Sequence, residues 1–195
     1  RVTLGVGSLV AFRRFKGRGD TVDPVPFAIA VAGTDSVIVA DLNTGDAETF
    51  DLNLNPTGTI DGPASSGLTV GLAWNSDSNQ LYWVENDDGH HLLHVTDLTG
   101  QRVGTAATVS SPRSITKGIQ LGDISYDTAA NYFWTVDILN GVIYGMTPLG
   151  AIPAELDTKQ IPNPETNGLL SGGIAVTAAA DQSVTLDIAM GKQAA

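Results

Sequence analysis

The 195-residue sequence predicts an all-β fold built from repeated modules, and three observations carry that prediction. An aliphatic–small pair recurs four times, each time with an acid 12 or 13 residues later and a glycine four residues beyond the acid. The copies are Ile29-Ala30 with Asp41 and Gly45, Leu72-Ala73 with Glu85 and Gly89, Ile124-Ser125 with Asp137 and Gly141, and Ile174-Ala175 with Asp187 and Gly191. Each copy reads as short runs of β-formers joined by turn-formers, and helical periodicity is absent throughout. The last copy stops just after its glycine, while two strand-like runs precede the first. A recurrence of roughly 40–50 residues is the signature of a propeller. The expected architecture is a β-propeller of about four antiparallel blades, the last closed by N-terminal strands.

The first strand of each copy is expected at 27–31, 68–74, 119–126 and 173–176. These runs are small and aliphatic and carry Gly71, Gly118, Gly122, Gly172 and Gly173, which suits strands whose backbones crowd around a channel. Turn clusters follow: Gly33-Thr34-Asp35-Ser36, Asn75-Ser76-Asp77-Ser78-Asn79, Asp127-Thr128-Ala129-Ala130-Asn131 and Ala180-Asp181-Gln182-Ser183. Asn, Asp and Ser bond their own backbone, and Gly and Asn tolerate positive φ. Second strands, richer in β-branched and aromatic residues, are expected at 37–42, 81–85, 132–138 and 184–188.

The glycine four residues past each acid closes a hairpin, most clearly at Asp88-Gly89 and Asn140-Gly141. Third strands are expected at 48–52, 91–97 and 142–146, and ragged fourth strands near 102–109 and 151–156. Proline-bearing stretches at 23–26, 111–112 and 161–165 read as links. The repeat units are then 25–62, 67–110, 117–157 and 172–191, with runs 2–6 and 8–15 completing the last. Residues 1–195 form a single domain on this reading. Closure removes unpaired edges that would invite aggregation.

With 21 acids against 10 Lys and Arg the formal charge is −11, and Arg1, Arg13, Arg14, Lys16 and Arg18 crowd the first 18 residues. The remainder is more acidic still, so its field repels nucleic acid, whose binding depends on neutralising phosphates. The N-terminal bases read as a solvated strand edge. No run approaches the roughly 18 apolar residues of a membrane-spanning helix. Cysteine is absent, which excludes disulfides and thiolate metal sites. The chain opens on Arg1 rather than Met, as a processed or excised chain would.

Gly71-Leu72-Ala73-Trp74, followed by Leu81-Tyr82-Trp83-Val84-Glu85 and Asp97-Leu98-Thr99-Gly100, resembles the repeat of YWTD-type and NHL-type propellers. Tyr82-Trp83-Val84-Glu85 stands where that family has Tyr-Trp-Thr-Asp. Phe133-Trp134-Thr135-Val136-Asp137 is similar, and Ile38-Val39-Ala40-Asp41 and Val184-Thr185-Leu186-Asp187 are looser versions. The likeness covers about residues 25–190 and specifies architecture rather than chemistry. Family members usually have more blades than the four repeats seen here. The resemblance, the missing initiator Met and the absence of Cys suggest an extracellular, cell-envelope or periplasmic protein.

The repeated acids Asp41, Glu85, Asp137 and Asp187 are read as structural, accepting backbone N–H groups in their own hairpins. The chain more distantly resembles gluconolactonase-like propellers, which hold a divalent cation at the channel mouth. That resemblance nominates Asp123 and Asn167 as metal ligands, with Ca2+ as the possible ion. Calcium wants six to eight oxygens, and the sequence offers no further ligand and no catalytic base.

Asn75-x-Asp77-x-Asn79 opens like an EF-hand loop but has Gln80 and Asn86 where glycine and glutamate belong, so it reads as a turn. His90, His91 and His94 read as a solvent-facing hairpin without an accompanying carboxylate. Arg18-Gly19-Asp20 is a chance-level adhesion tripeptide in an expected link. Trp74, Trp83, Trp134, Tyr82, Tyr132 and Phe133 fall at repeat-equivalent positions and read as inter-blade core. Nucleophile elbows, phosphate loops and dinucleotide fingerprints are absent.

The functional expectation is a secreted or cell-envelope propeller serving as a non-catalytic binding or structural module. A protein or small-molecule partner would sit at one mouth of the ring, near 117–123 and 163–171, with no nucleic acid and no membrane span. The alternatives are a metal-dependent lactonase-like hydrolase with a cation at the central channel, and a self-assembling subunit of an extracellular structure.

Overall fold

A computed structural model describes residues 25–63, 68–87, 90–109, 120–157, 170–178 and 184–190. Every regular element among them is a strand, and all pairing within the sheets is antiparallel. The first blade runs in order from β1 (Pro26–Ala32) through β2 (Ser36–Asp41) and β3 (Ala47–Asp51) to β4 (Pro56–Ile60). The second comprises β5 (Leu68–Asn75), β6 (Gln80–Asp87), β7 (His90–Thr96) and β8 (Ala107–Val109). The third comprises β9 (Leu121–Asp127), β10 (Tyr132–Asp137), β11 (Val142–Met146) and β12 (Ala154–Asp157). A fourth sheet pairs β13 (Leu170–Ala178) with β14 (Val184–Met190).

This is a β-propeller, with three four-stranded meanders and a fourth sheet of which two strands are described. The N-terminal runs 2–6 and 8–15, expected to complete that last blade, lie outside the described residues. The expected strands appear within a few residues of their places. One was missed: β4 begins at Pro56, whose lack of an N–H suits an edge strand but hides the strand from sequence patterning. Two of the expected hairpin glycines adopt positive φ, 73° at Gly45 and 63° at Gly141. Each donates its N–H to the carbonyl of the acid four residues earlier, at 2.9 Å. Asp88-Gly89 lies outside the described residues.

The first strands pack side by side, β1 on β5, β5 on β9 and β9 on β13. Each blade interface follows one rule. Between the first and second blades, Ala28, Ala30 and Ala32 meet Leu72, Leu81 and Trp83. Between the second and third, Ala73, Tyr82 and Val84 meet Ile124, Phe133 and Tyr144. Between the third and fourth, Val136 and Ile143 meet Ile174. Of the recurring pairs, the larger members Leu72, Ile124 and Ile174 therefore face the preceding blade, and the smaller members Ala30 and Ala73 the following one. Period-two alternation along a strand enforces this.

Candidate central cavity

The four first strands border a cavity of about 480 Å³, within the range of ligand pockets. Ile29, Val31, Leu72, Trp74, Ile174 and Val176 supply apolar wall, while Ser76, Asp123, Ser125, Tyr126 and Thr128 supply polar groups. The polar lining side chains that stand on inner strands, Asp123, Ser125 and Tyr126, all come from β9. Asp123 stands where the other copies have Ala28, Gly71 and Gly173, and Ser125 stands where they have Ala30, Ala73 and Ala175. The third blade thus replaces the Ala and Gly of the other copies with polar side chains at the wall of the shared space.

Both polar residues clasp neighbouring blades. Asp123 Oδ1 accepts the Leu72 N–H at 3.1 Å and the Ile124 N–H at 2.9 Å, tying β9 to β5. Ser125 Oγ accepts the Val176 N–H at 3.2 Å, tying β9 to β13. Burial pushes the Asp123 carboxyl up to about 7, against the opposing pull of the two backbone N–H groups. The Tyr126 hydroxyl lies 2.8 Å from Asp77 Oδ2 and 3.0 Å from Asn131 Oδ1, bridging the turns of two blades. Burial, and then the Asp77 carboxylate, push this phenol up to about 12.

Of the nominated metal ligands, Asp123 lines the cavity and Asn167 lies outside the described residues. Among the described residues no group of three or more His, Asp or Glu side chains is placed to hold a metal ion. The Asp123 oxygen that takes two N–H bonds has its lone pairs directed into the fold. The tripeptide Arg18-Gly19-Asp20 also lies outside the described residues.

The repeated acids divide in two. Asp41 Oδ1 accepts the N–H groups of Val25 and Asn43. Asp137 Oδ1 accepts those of Gln120, Leu139 and Asn140, as the structural reading expects. Glu85 departs from this pattern, because its longer side chain reaches across the hairpin and pairs with His94. The side chain of Asp187 lies outside the described residues.

The solvent-facing reading is overturned for His91 and His94, while the His90 side chain lies outside the described residues. His91 and His94 are 3% and 5% exposed, and a carboxylate does accompany His94. The reason is tertiary: β7 is a third strand with a blade on either side, so its residues enter two interfaces rather than solvent. His94 lies beside Trp83 on the side of the first blade, and His91 takes the opposite face. The Asn75 segment is a turn as expected, with Asn75 Oδ1 accepting the N–H groups of Asp77 and Ser78. Trp83, Tyr82 and Phe133 are buried, with the Tyr82 and Phe133 rings 4.4 Å apart, whereas Trp74, Tyr132 and Trp134 are half-buried.

No protein-family model and no curated protein matches the chain by sequence. Solved structures match by fold. Virginiamycin B lyase from Staphylococcus aureus aligns with a TM-score of 0.55 and 19% identity over 86% of this chain and 50% of its own. A protein of unknown function from Bacteroides caccae aligns with a TM-score of 0.52 and 10% identity over 84% of this chain and 53% of its own. At such identities the shared property is the β-propeller fold. The chain spans about half the length of these structures.

Proposed function

We propose that this protein is a non-catalytic propeller module that binds a small amphipathic molecule in its central cavity. The observation that carries the reading is the polar break in β9, where Asp123 and Ser125 place polar side chains at inner-strand positions that are Ala or Gly in the other copies, in the wall of a largely apolar space. A bound molecule would lay its apolar body against Ile29, Val31, Trp74 and Ile174 and direct a hydrogen-bond donor toward Asp123. Once the carboxyl is ionised, an amine is the best-matched donor, because a charge-assisted bond in a partly dry site is the strong kind. Assignment of the repeat to the YWTD and NHL type is part of this reading, supported by Trp83 standing buried at a blade interface. An extracellular or envelope location belongs to it too.

The test is a fragment screen by NMR with aromatic and aliphatic amines, comparing the native chain with Asp123→Asn. Shift changes confined to the inner strands, with affinity at least tenfold weaker in the variant, are expected. Fragments that leave Leu72, Ile124 and Ile174 unmoved would remove the proposal.

A lactonase-like reading retains one supporting observation, a carboxyl in the cavity that exchanges its proton near neutral pH. Virginiamycin B lyase, which shares the fold, adds a fold-level precedent for an enzyme. Metal analysis of purified protein, with Asp123→Ala alongside, separates this reading from the first. Stoichiometric metal lost in the variant would favour the hydrolase.

A further inference from the structure

A second cavity, of about 360 Å³, lies between the first two blades. Strands β1 to β4 and the β1–β2 turn border it on one side, and Trp74, Asn79 and Leu98 on the other. All four strands of both blades are described, and Trp74 is the only residue it shares with the central cavity.

The repeat explains why a cleft stands here. Three residues before the recurring acid the first blade has Ile38 and the second has Tyr82, paired in register with Ala30 and Ala73 respectively. Tyr82 fills the next interface, its ring 4.4 Å from that of Phe133. Ile38 brings no ring, so the equivalent space between the first and second blades stays open beside it. The residue after each recurring pair matters as well. Trp74 Nε1 donates to Asn79 Oδ1 at 3.2 Å, as the equivalent Tyr126 hydroxyl lies 3.0 Å from the equivalent Asn131 Oδ1. Tyr126 also bonds Asp77 in the turn of the preceding blade. An indole has one N–H, already given to Asn79, so Trp74 has none for Asp35 in the corresponding turn.

The lining chemistry narrows the occupant. Buried Ala32, Ile38 and Ile60 form an apolar floor, and Asp35, Ser36, Thr49, Thr57 and Asn79 supply polar groups around it. The Thr57 hydroxyl lies 2.9 Å from that of Thr49. Hydroxyls and an amide both donate and accept, which matches a ligand whose own groups do both. An anion is disfavoured by Asp35 and by the formal charge of −11. A small cation would use only Asp35 and the Trp74 ring.

We propose that this inter-blade cleft is a saccharide-binding site that holds one neutral sugar ring. The C–H face of the ring lies against Ile38, Ile60 and Trp74, and its hydroxyls bond Asp35, Thr49, Thr57 and Asn79. The site is independent of what the central cavity binds.

NMR titration of the nitrogen-labelled chain with the methyl glycosides of glucose, galactose, mannose and N-acetylglucosamine is the test. At least one glycoside should shift the amides of Asp35, Ser36, Thr49 and Thr57, none of which borders the central cavity. Asp35→Ala should weaken that glycoside about tenfold or more, because a hydrogen bond to a charged group is lost. Thr49→Val, nearly isosteric, should weaken it about fivefold with an unchanged β-sheet circular dichroism spectrum. Glycosides that leave these four amides unmoved, or move Leu72, Ile124 and Ile174 instead, would overturn the proposal. So would choline shifting the cleft where no glycoside does, or variants that bind as the native chain does.

Discussion

Glu85 and His94 meet between two blades with side chains 4% and 6% exposed. A carboxylate taken this far from water is tolerable only with a partner, so breaking the pair from one side is costlier than never having it. His94→Ala should destabilise the protein by about 3 kcal/mol, read as a lower urea midpoint at unchanged slope.

Asp123 acts in the opposite direction. Its folded value is raised from 3.8 to about 7, so the native state holds the proton more tightly than the unfolded chain does. Stability therefore falls as pH rises from about 4 through about 7, and the loss is complete above that range. The melting temperature is expected to drop by several degrees between pH 5 and pH 8, and Asp123→Asn should flatten the profile over that interval. Asp123 could be singled out by its place in the repeat, since an acid there breaks a small-residue pattern. Its bond to the Leu72 N–H, 51 residues away, could not be read from sequence.

At the scale of elements, the inner strands lie as close as their glycines allow. A Cβ on Gly71 would stand 3.0 Å from the Gly122 carbonyl oxygen, 3.2 Å from the Ile124 nitrogen and 3.3 Å from the Asp123 Cα. All three atoms are backbone of β9, which cannot swing aside as a side chain would. Gly71→Ala should cost about 1–3 kcal/mol, the usual range for overpacking, measured by thermal or urea unfolding. It should also lengthen the Leu72–Asp123 bond and so perturb the Asp123 titration.

The positions of most strands were legible because turn chemistry and β-branched runs are local signals, as at Asn140-Gly141 and Val142–Met146. β4 was not, because Pro56-Thr57-Gly58 carries no strand signal and pairs only through its partner β3. His91 and His94 were placed on the wrong side of the solvent boundary for a similar reason: a polar strand enters an interface when blades cover both of its faces.

For the whole molecule, stability resides in the contacts between blades as much as in the ladders within them. Trp83, Leu72 and Leu81 on one interface and Phe133, Tyr144 and Ile124 on the next are essentially inaccessible to water.

The sequence by itself determined the module: four copies of a pair, an acid and a glycine specify hairpins, the positions of most strands and which residues of a strand share a face. Those features follow from local turn geometry and from period-two alternation, which need no knowledge of distant residues. The tertiary structure alone decided which acid enters the shared cavity and which histidine finds a carboxylate. Each of these depends on how much the sheets rotate from one blade to the next, and that angle is set by packing between residues some 50 positions apart.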